Sequence, residues 1–488
     1  MRVFTRTVKG EGLKTLQLAV IVCSFFLIMQ CLLTENLELL AMVAIAILVN
    51  NILFCLQKTK ERILLLFLNL MLFVFVLDRP FIDFLKGKNW ISNAFIYNSN
   101  AKAVQAMILI IISLLGLFLV GILGETLKGK RKIKGKISKE YINILKQITC
   151  IVFLVSFFFD ALMGLEKITF RMNHTYAEYY YLFQSILPYW VYIIASFNGY
   201  SLCLYLATKP TKKRATFFLI LYILLSLPKL IVGSRGEFIV RILFALFYYI
   251  YRDYCQDKEI WIGKKEKYLL LFGSPFGIVF LGLFNYARDG GVNVNFSVFE
   301  IITDFFYKQG VTFSWISAGL GVMEELPAHI NYSFGAVIDY ILYGKFGQLV
   351  FETKEIAAGN NVMRASTGNS LSHHLSYRLL GNQYLQGHGT GSSYLLENYI
   401  DFGYVGVFFI SVCLGMILIW IVRKARNSYL CTVLVFTMFP GIILMARGEF
   451  SDIFAFLFYL QFWLIFTCCT VGALLLKERF SMRKYQSY

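Results

Sequence analysis

The sequence predicts an all-α, polytopic integral membrane protein of about twelve transmembrane helices, with one large outer loop containing amphipathic helices. Three observations predict it. Hydrophobic residues make up 58% of the chain and aromatic ones 17%, against 16% charged, far from the composition of a soluble domain. The apolar residues run in continuous stretches such as Leu64 to Val76, whereas a membrane barrel needs short alternating segments. The basic residues fall in short runs between those stretches, as in cytoplasmic loops facing anionic headgroups. A formal charge of +18 therefore points to lipid rather than nucleic acid, which needs basic residues gathered on one folded surface.

A helix needs roughly 20 mostly apolar residues to cross the hydrocarbon core. Runs meeting that requirement lie near 15–33, 36–56, 63–80, 104–124, 147–165, 183–207, 215–232, 237–251, 268–285, 401–422, 428–446 and 452–476. The first is span-length and lacks a small-residue cleavage site, so it reads as a helix rather than a signal peptide. Lys and Arg then set the orientation. About 31 of the 47 basic residues fall in alternate loops that include Arg2 to Lys14, Lys58 to Arg62, Lys128 to Lys139 and Lys477 to Lys484, which places both termini in the cytoplasm. The organisation is one integrated membrane domain: a nine-helix portion over 1–285, an extracytoplasmic loop over 286–400, and a three-helix portion over 401–488.

A loop of that length is expected to be functional. Its apolar patches, Phe296 to Phe306 and Phe334 to Tyr343, suit amphipathic helices at the membrane surface. None of the ten cysteines falls in it, so it folds without disulfides. Cys468 and Cys469 lie within a span as packing residues. No CxxC or Cys/His spacing proposes a zinc site, and no metal is expected. All five histidines, His174, His329, His373, His374 and His388, fall on the outer side in this topology.

Three arginines stand on that side, where orientation does not call for positive charge. Arg235 lies in Gly233-Ser234-Arg235-Gly236-Glu237, Arg447 in Ala446-Arg447-Gly448-Glu449, and Arg288 opens the long loop before Asp289-Gly290-Gly291. A single Arg-Gly-Glu turn is explained by an arginine snorkelling beside its own glutamate. Two near-identical turns point further: glycine frees backbone N–H groups, and a guanidinium grips phosphate oxygens in pairs. Lys229, near the outer end of its span, adds another charge. The segment Gly387-His388-Gly389-Thr390-Gly391-Ser392-Ser393, followed by Glu397 to Asp401 and Phe402-Gly403, lacks the Gly-Lys-Ser/Thr of a nucleotide loop. Its glycines admit a bulky ligand, and its Ser, Glu and Asp side chains suit sugar hydroxyls.

At these residues the chain resembles the Wzy-type polymerases that join O-antigen or capsular repeat units. The resemblance covers the general plan of the whole chain, and none of its parts is a strict motif. It implies a glycosyl transfer at the outer face of the bacterial cytoplasmic membrane between two undecaprenyl-diphosphate-linked oligosaccharides. Lipid diphosphate leaves, with no nucleotide sugar and no cofactor. Arg235, Arg288 and Arg447 would stabilise the leaving group. A base for the acceptor hydroxyl is sought among His374, His388, Glu237, Glu397 and Glu449, with His388 or Glu397 favoured. A helix through His373-His374 turns the two rings to different faces, so at most one reaches a site. Ser234, Gly236, Glu237, Gly389, Gly391, Ser392, Ser393, His374 and Glu449 are expected to contact substrate. A chain-length regulator and a flippase are the expected partners, beside membrane lipids. The competing readings are a ligase using the same lipid-linked donor and a repeat-unit flippase; a transporter would show internal repeats and polar residues at mid-membrane depth, and no convincing repeat is found here.

Overall fold

The computed structural model describes residues 36–87, 99–123, 138–174, 178–179, 182–255, 259–288, 297–357 and 359–486, with scattered positions between 17 and 30. The first expected span, 15–33, lies largely outside the described residues. Among the described residues there are helices and no strands, and nine helices are long and apolar enough to cross a membrane. The protein is a polytopic membrane protein.

The main helices in chain order are α1 (Leu37–Gln57), α2 (Ile63–Leu85), α3 (Asn100–Leu123), α4 (Lys139–Asn173), α5 (Tyr189–Ala207), α6 (Lys212–Val232), α7 (Gly236–Tyr254) and α8 (Lys264–Arg288). Within the long loop follow α9 (Val298–Gln309), α10 (Thr312–Val322), α11 (Gly335–Tyr343) and α12 (Leu371–Leu380). The chain finishes with α13 (Tyr394–Ala425), α14 (Tyr429–Leu444) and α15 (Leu460–Gln486). Both apolar patches of the loop form helices. Helix α9 opens with a capping box, in which the Ser297 hydroxyl accepts from the Glu300 N–H and the Glu300 carboxylate accepts from the Ser297 N–H.

The chain divides into two compact units. One comprises 1–128, 292–420 and 442–451 and the other 129–291, 421–441 and 452–488. In the first, α1 packs on α3, and Asn51 Nδ2 donates to the Leu114 carbonyl (2.9 Å) and to Asn69 Oδ1 (3.3 Å). Interhelical hydrogen bonds of this kind substitute for water in an apolar medium. Small residues bring α3 against α13: a Cβ on Gly116 would lie 2.8 Å from the Phe408 carbonyl oxygen. Ser113 bonds to both the Tyr394 hydroxyl (2.7 Å) and Ser411 (2.8 Å).

In the second unit α4 packs along α5, and α15 packs on both. The opposite side of α4 carries exposed Ile151, Leu154, Val155, Phe158 and Leu165, a stripe at helical spacing that faces lipid in a membrane. Only 11% of the apolar stretch of α8 is buried, which gives that helix the same orientation to lipid. Helix α7 carries two buried arginines. Arg252 donates to the Pro210 carbonyl (2.8 Å) and the Tyr248 hydroxyl (2.6 Å), and Arg241 donates to the Tyr222 carbonyl (2.5 Å).

Helix α4 runs beyond its expected 147–165 at both ends and α5 starts at Tyr189 rather than 183; two further boundaries that differ from the sequence expectation adjoin the Arg447 turn. Helix α13 begins at Tyr394 rather than 401, because Ser393 starts it: its carbonyl accepts from the Glu397 N–H (3.0 Å). The break then falls inside, at Gly403 (φ 66°, ψ −167°). The last helix begins at Leu460 rather than 452, with 3-10 turns over Phe450–Ile453 and Ala455–Leu457. The Phe450 N–H and the Ser451 hydroxyl serve tertiary partners instead of an α-helix.

Candidate functional site

The Arg447 turn is built in the first unit from two segments that lie far apart in sequence. The Arg447 N–H donates to the Leu444 carbonyl (2.8 Å) and closes α14. Residues 391–394 then run beside it, with Ser392 N–H on the Arg447 carbonyl (3.3 Å) and Tyr394 N–H on that of Met445 (3.2 Å). Gly391 is required at this approach. Its φ is +75°, and a Cβ there would lie 2.9 Å from the Arg447 carbonyl oxygen.

Glu397, 0% exposed, fastens the same turn. Its Oε1 accepts from the Ser392 hydroxyl (2.5 Å) and its Oε2 from the Phe450 N–H (2.8 Å). A buried carboxylate held by such donors is a rigid anchor. Ser392 and Ser393 are themselves buried; the Ser392 hydroxyl serves Glu397 and the Ser393 hydroxyl accepts from the Leu395 N–H (3.4 Å). Glu449, two residues from Arg447, accepts from the Ser370 hydroxyl at the start of α12.

Glu449 is thus engaged by Ser370, and among the described residues no carboxylate pairs with Arg447. Its guanidinium makes one hydrogen bond there, from Nη1 to Gln309 Oε1 at 3.4 Å. Burial pulls the pKa of the Arg447 guanidinium below its ordinary value; the group nevertheless stays protonated. A half-buried cation with one neutral partner favours an incoming anion, because the desolvation cost is already present and only the attraction is added.

The histidines separate as the helix geometry requires. His374 is 3% exposed and its Nε2–H donates to the Gly368 carbonyl (2.6 Å), while the His373 Nδ1 is hydrogen-bonded with the Tyr384 hydroxyl (2.9 Å). Burial lowers both pKa values, that of His373 to about 4 with help from the nearby Arg364 charge. His388 and Gly389 are exposed. The His388 backbone is fixed on both sides, by its N–H on the Gln383 carbonyl (3.1 Å) and by Asn360 Nδ2 on its own carbonyl (2.8 Å).

The Arg235 turn belongs to the second unit. Gly233, φ +116°, ends α6 in the left-handed region, and the Ser234 N–H donates back to the Lys229 carbonyl (2.8 Å). Arg235 Nη1 donates to the Leu281 carbonyl of α8 (3.2 Å). Glu237 forms ion pairs with Lys229 and with Arg241. Gly236 is exposed, with open space where a Cβ would be. The backbone of Arg288 ends α8, and its side chain lies outside the described residues.

Several residues that hold the Arg447 turn carry no local signal in the sequence. Gln309 and Ser370 meet the 446–450 turn across 138 and 79 residues, and nothing local marks them. Asp401 follows the Gly-rich segment. It accepts from the backbone N–H groups of Tyr332 (3.1 Å) and Ser333 (2.7 Å), and Asn398 Oδ1 accepts from the Ser333 hydroxyl (2.8 Å).

Residues 16–479, nearly the whole chain, match the family model described as O-antigen polysaccharide polymerase Wzy. No curated protein and no solved structure matches the chain.

Proposed function

Since this chain belongs to the Wzy family of O-antigen polysaccharide polymerases, we propose that it elongates its glycan on undecaprenyl diphosphate and that Arg447 holds the departing diphosphate. The family accounts for the polymerisation of repeat units. Our reading adds that the growing lipid-linked chain is the donor and that the reaction runs at the outer face of the cytoplasmic membrane, for an O-antigen or a capsule. The protein would then cross the membrane about twelve times with both termini in the cytoplasm.

In this reading a hydroxyl at the non-reducing end of the acceptor repeat unit attacks the anomeric carbon of the donor. The bond from that carbon to the diphosphate oxygen breaks, and lipid diphosphate leaves with the electron pair. The acceptor proton passes to His388, which is exposed, rather than to Glu397, whose two oxygens already accept hydrogen bonds. Cationic stabilisation without a metal is assigned to Arg447, with Arg235 and Arg288 as further cations to be tested separately. Glu397, Ser392, Gly391 and Glu449 are positioning residues, since each fixes the backbone that carries Arg447. A chain-length regulator and a flippase would work beside it.

The observation that carries the reading is the half-buried Arg447 guanidinium with a single neutral partner among the described residues. The test is a surface-polysaccharide gel from a deletion strain complemented with Arg447→Ala, with membrane expression checked. Collapse of the ladder to single repeat units is expected. Long chains that stay on the lipid carrier would indicate a ligase instead, and an unchanged ladder would remove Arg447 from the mechanism.

A further inference from the structure

A cavity of about 600 Å³ opens within the first unit, lined among others by Glu324, Leu326, His329, Asn331, Tyr332 and Asp401. Its size falls within the range of small-molecule sites, roughly 300–1,000 Å³. The wall is fixed in advance. Asp401 accepts the N–H groups of Tyr332 and Ser333, Tyr332 is 1% exposed, and His329 is held at a φ of 67°, uncommon for a residue with a side chain. The groups at its rim are exposed and unspent. Among the described residues the carboxylate of Glu324, the ring of His329 and the amide of Asn331 make no hydrogen bond or ion pair.

We propose that this cavity is a saccharide subsite that takes uncharged hexose or N-acetylhexosamine residues of the repeat unit and rejects acidic sugars. The inference rests on reading the Arg447 turn as the diphosphate site. Sugar hydroxyls donate and accept at once, which an amide, an imidazole and a carboxylate together can answer. Two carboxylates, Glu324 and Asp401, and no Lys or Arg line the cavity, which disfavours a uronic acid or a sugar phosphate by like-charge repulsion. Its place in the fold agrees. Glu397, which fastens the Arg447 turn, and Asp401, which fastens the cavity wall, stand one helical turn apart on α13, a rise of about 6 Å. A glycan joined directly to a diphosphate at Arg447 has its sugars in reach of that wall.

The test uses the full-length protein in lipid nanodiscs and the oligosaccharide repeat unit released by mild acid from the carrier lipid of a strain lacking the protein. Saturation-transfer NMR should mark a contiguous run of uncharged residues in that oligosaccharide. The double variant Glu324→Gln with Asn331→Ala should weaken binding on the order of tenfold. Glu325→Gln, whose carboxylate pairs with Arg378 and does not line the cavity, should leave it unchanged and controls for folding. Absence of transfer with the unaltered protein, transfer centred on an acidic residue, or equal binding by the double variant would each overturn the subsite. Arg447→Ala separates the two proposals. If it leaves the ladder intact, the diphosphate reading fails whatever the NMR shows, and if the ladder collapses while the double variant binds normally, only the subsite fails.

Discussion

The turns at Arg235 and Arg447 carry the same Arg-Gly-Glu sequence, each at a boundary between apolar helices, yet their glutamates are used differently. Glu237 draws Lys229 and Arg241 into ion pairs, so the acid of this turn serves two cations from the flanking helices. Glu449 instead accepts from the neutral Ser370, and the positive charge of Arg447 stays uncompensated by any carboxylate among the described residues. A tripeptide sets the bend and the order of its side chains. Which charge remains available depends on what the rest of the fold brings to the acid.

That contrast is most sharply tested by Arg447 itself. Arg447→Ala should lower the polymerisation rate by about a hundredfold or more, and Arg447→Lys should restore it poorly because an ammonium lacks the planar fork. Full rescue by lysine, measured as repeat units added per minute in nanodiscs, would show that charge alone matters. Arg235→Ala is expected to cost less, about tenfold. An effect equal to that of Arg447→Ala would erase the distinction between the turns.

Substitution of the acids should also differ. Glu397→Ala strands the Phe450 N–H and the Ser392 hydroxyl in the interior and is expected to destabilise the protein by about 2–4 kcal/mol. Glu397→Gln should recover most of this, as an amide can accept from Phe450 and donate to Ser392. A thermal melt that failed to separate Ala from Gln would disprove the anchoring role. Glu237→Ala leaves the nearly buried Arg241 without its counter-charge and should cost roughly 1–3 kcal/mol. Glu449→Ala strands the buried Ser370 hydroxyl and should cost about 1.5–3 kcal/mol.

The smallest effect concerns pH. In the folded protein His373 has its pKa lowered to about 4 from its ordinary 6.5, and that of His374 is lowered as well. The fold therefore prefers the neutral rings. Their contribution is complete above pH 6.5 and is lost as pH falls through about 4, since the unfolded chain then binds protons more readily. For His373 this amounts to about 1–2 kcal/mol. The variant His373→Gln should flatten the acid limb of the stability profile, and an unaltered slope between pH 6.5 and 4 would argue against a neutral, buried His373.

The sequence by itself determined that the chain is helical and crosses a membrane, because long apolar runs and alternating basic loops reflect the bilayer, which acts on every helix alike. It also picked out Arg447, Glu397 and the Gly391-Ser392 segment, since glycine and charge at a span boundary are local signals. Only the tertiary structure decided that Glu397 is an anchor, that Gln309 and Ser370 complete the Arg447 turn, and that α13 starts at Tyr394. Those outcomes rest on hydrogen bonds between residues distant along the chain, and the free energy of a buried donor or acceptor depends on the partner that folding brings to it.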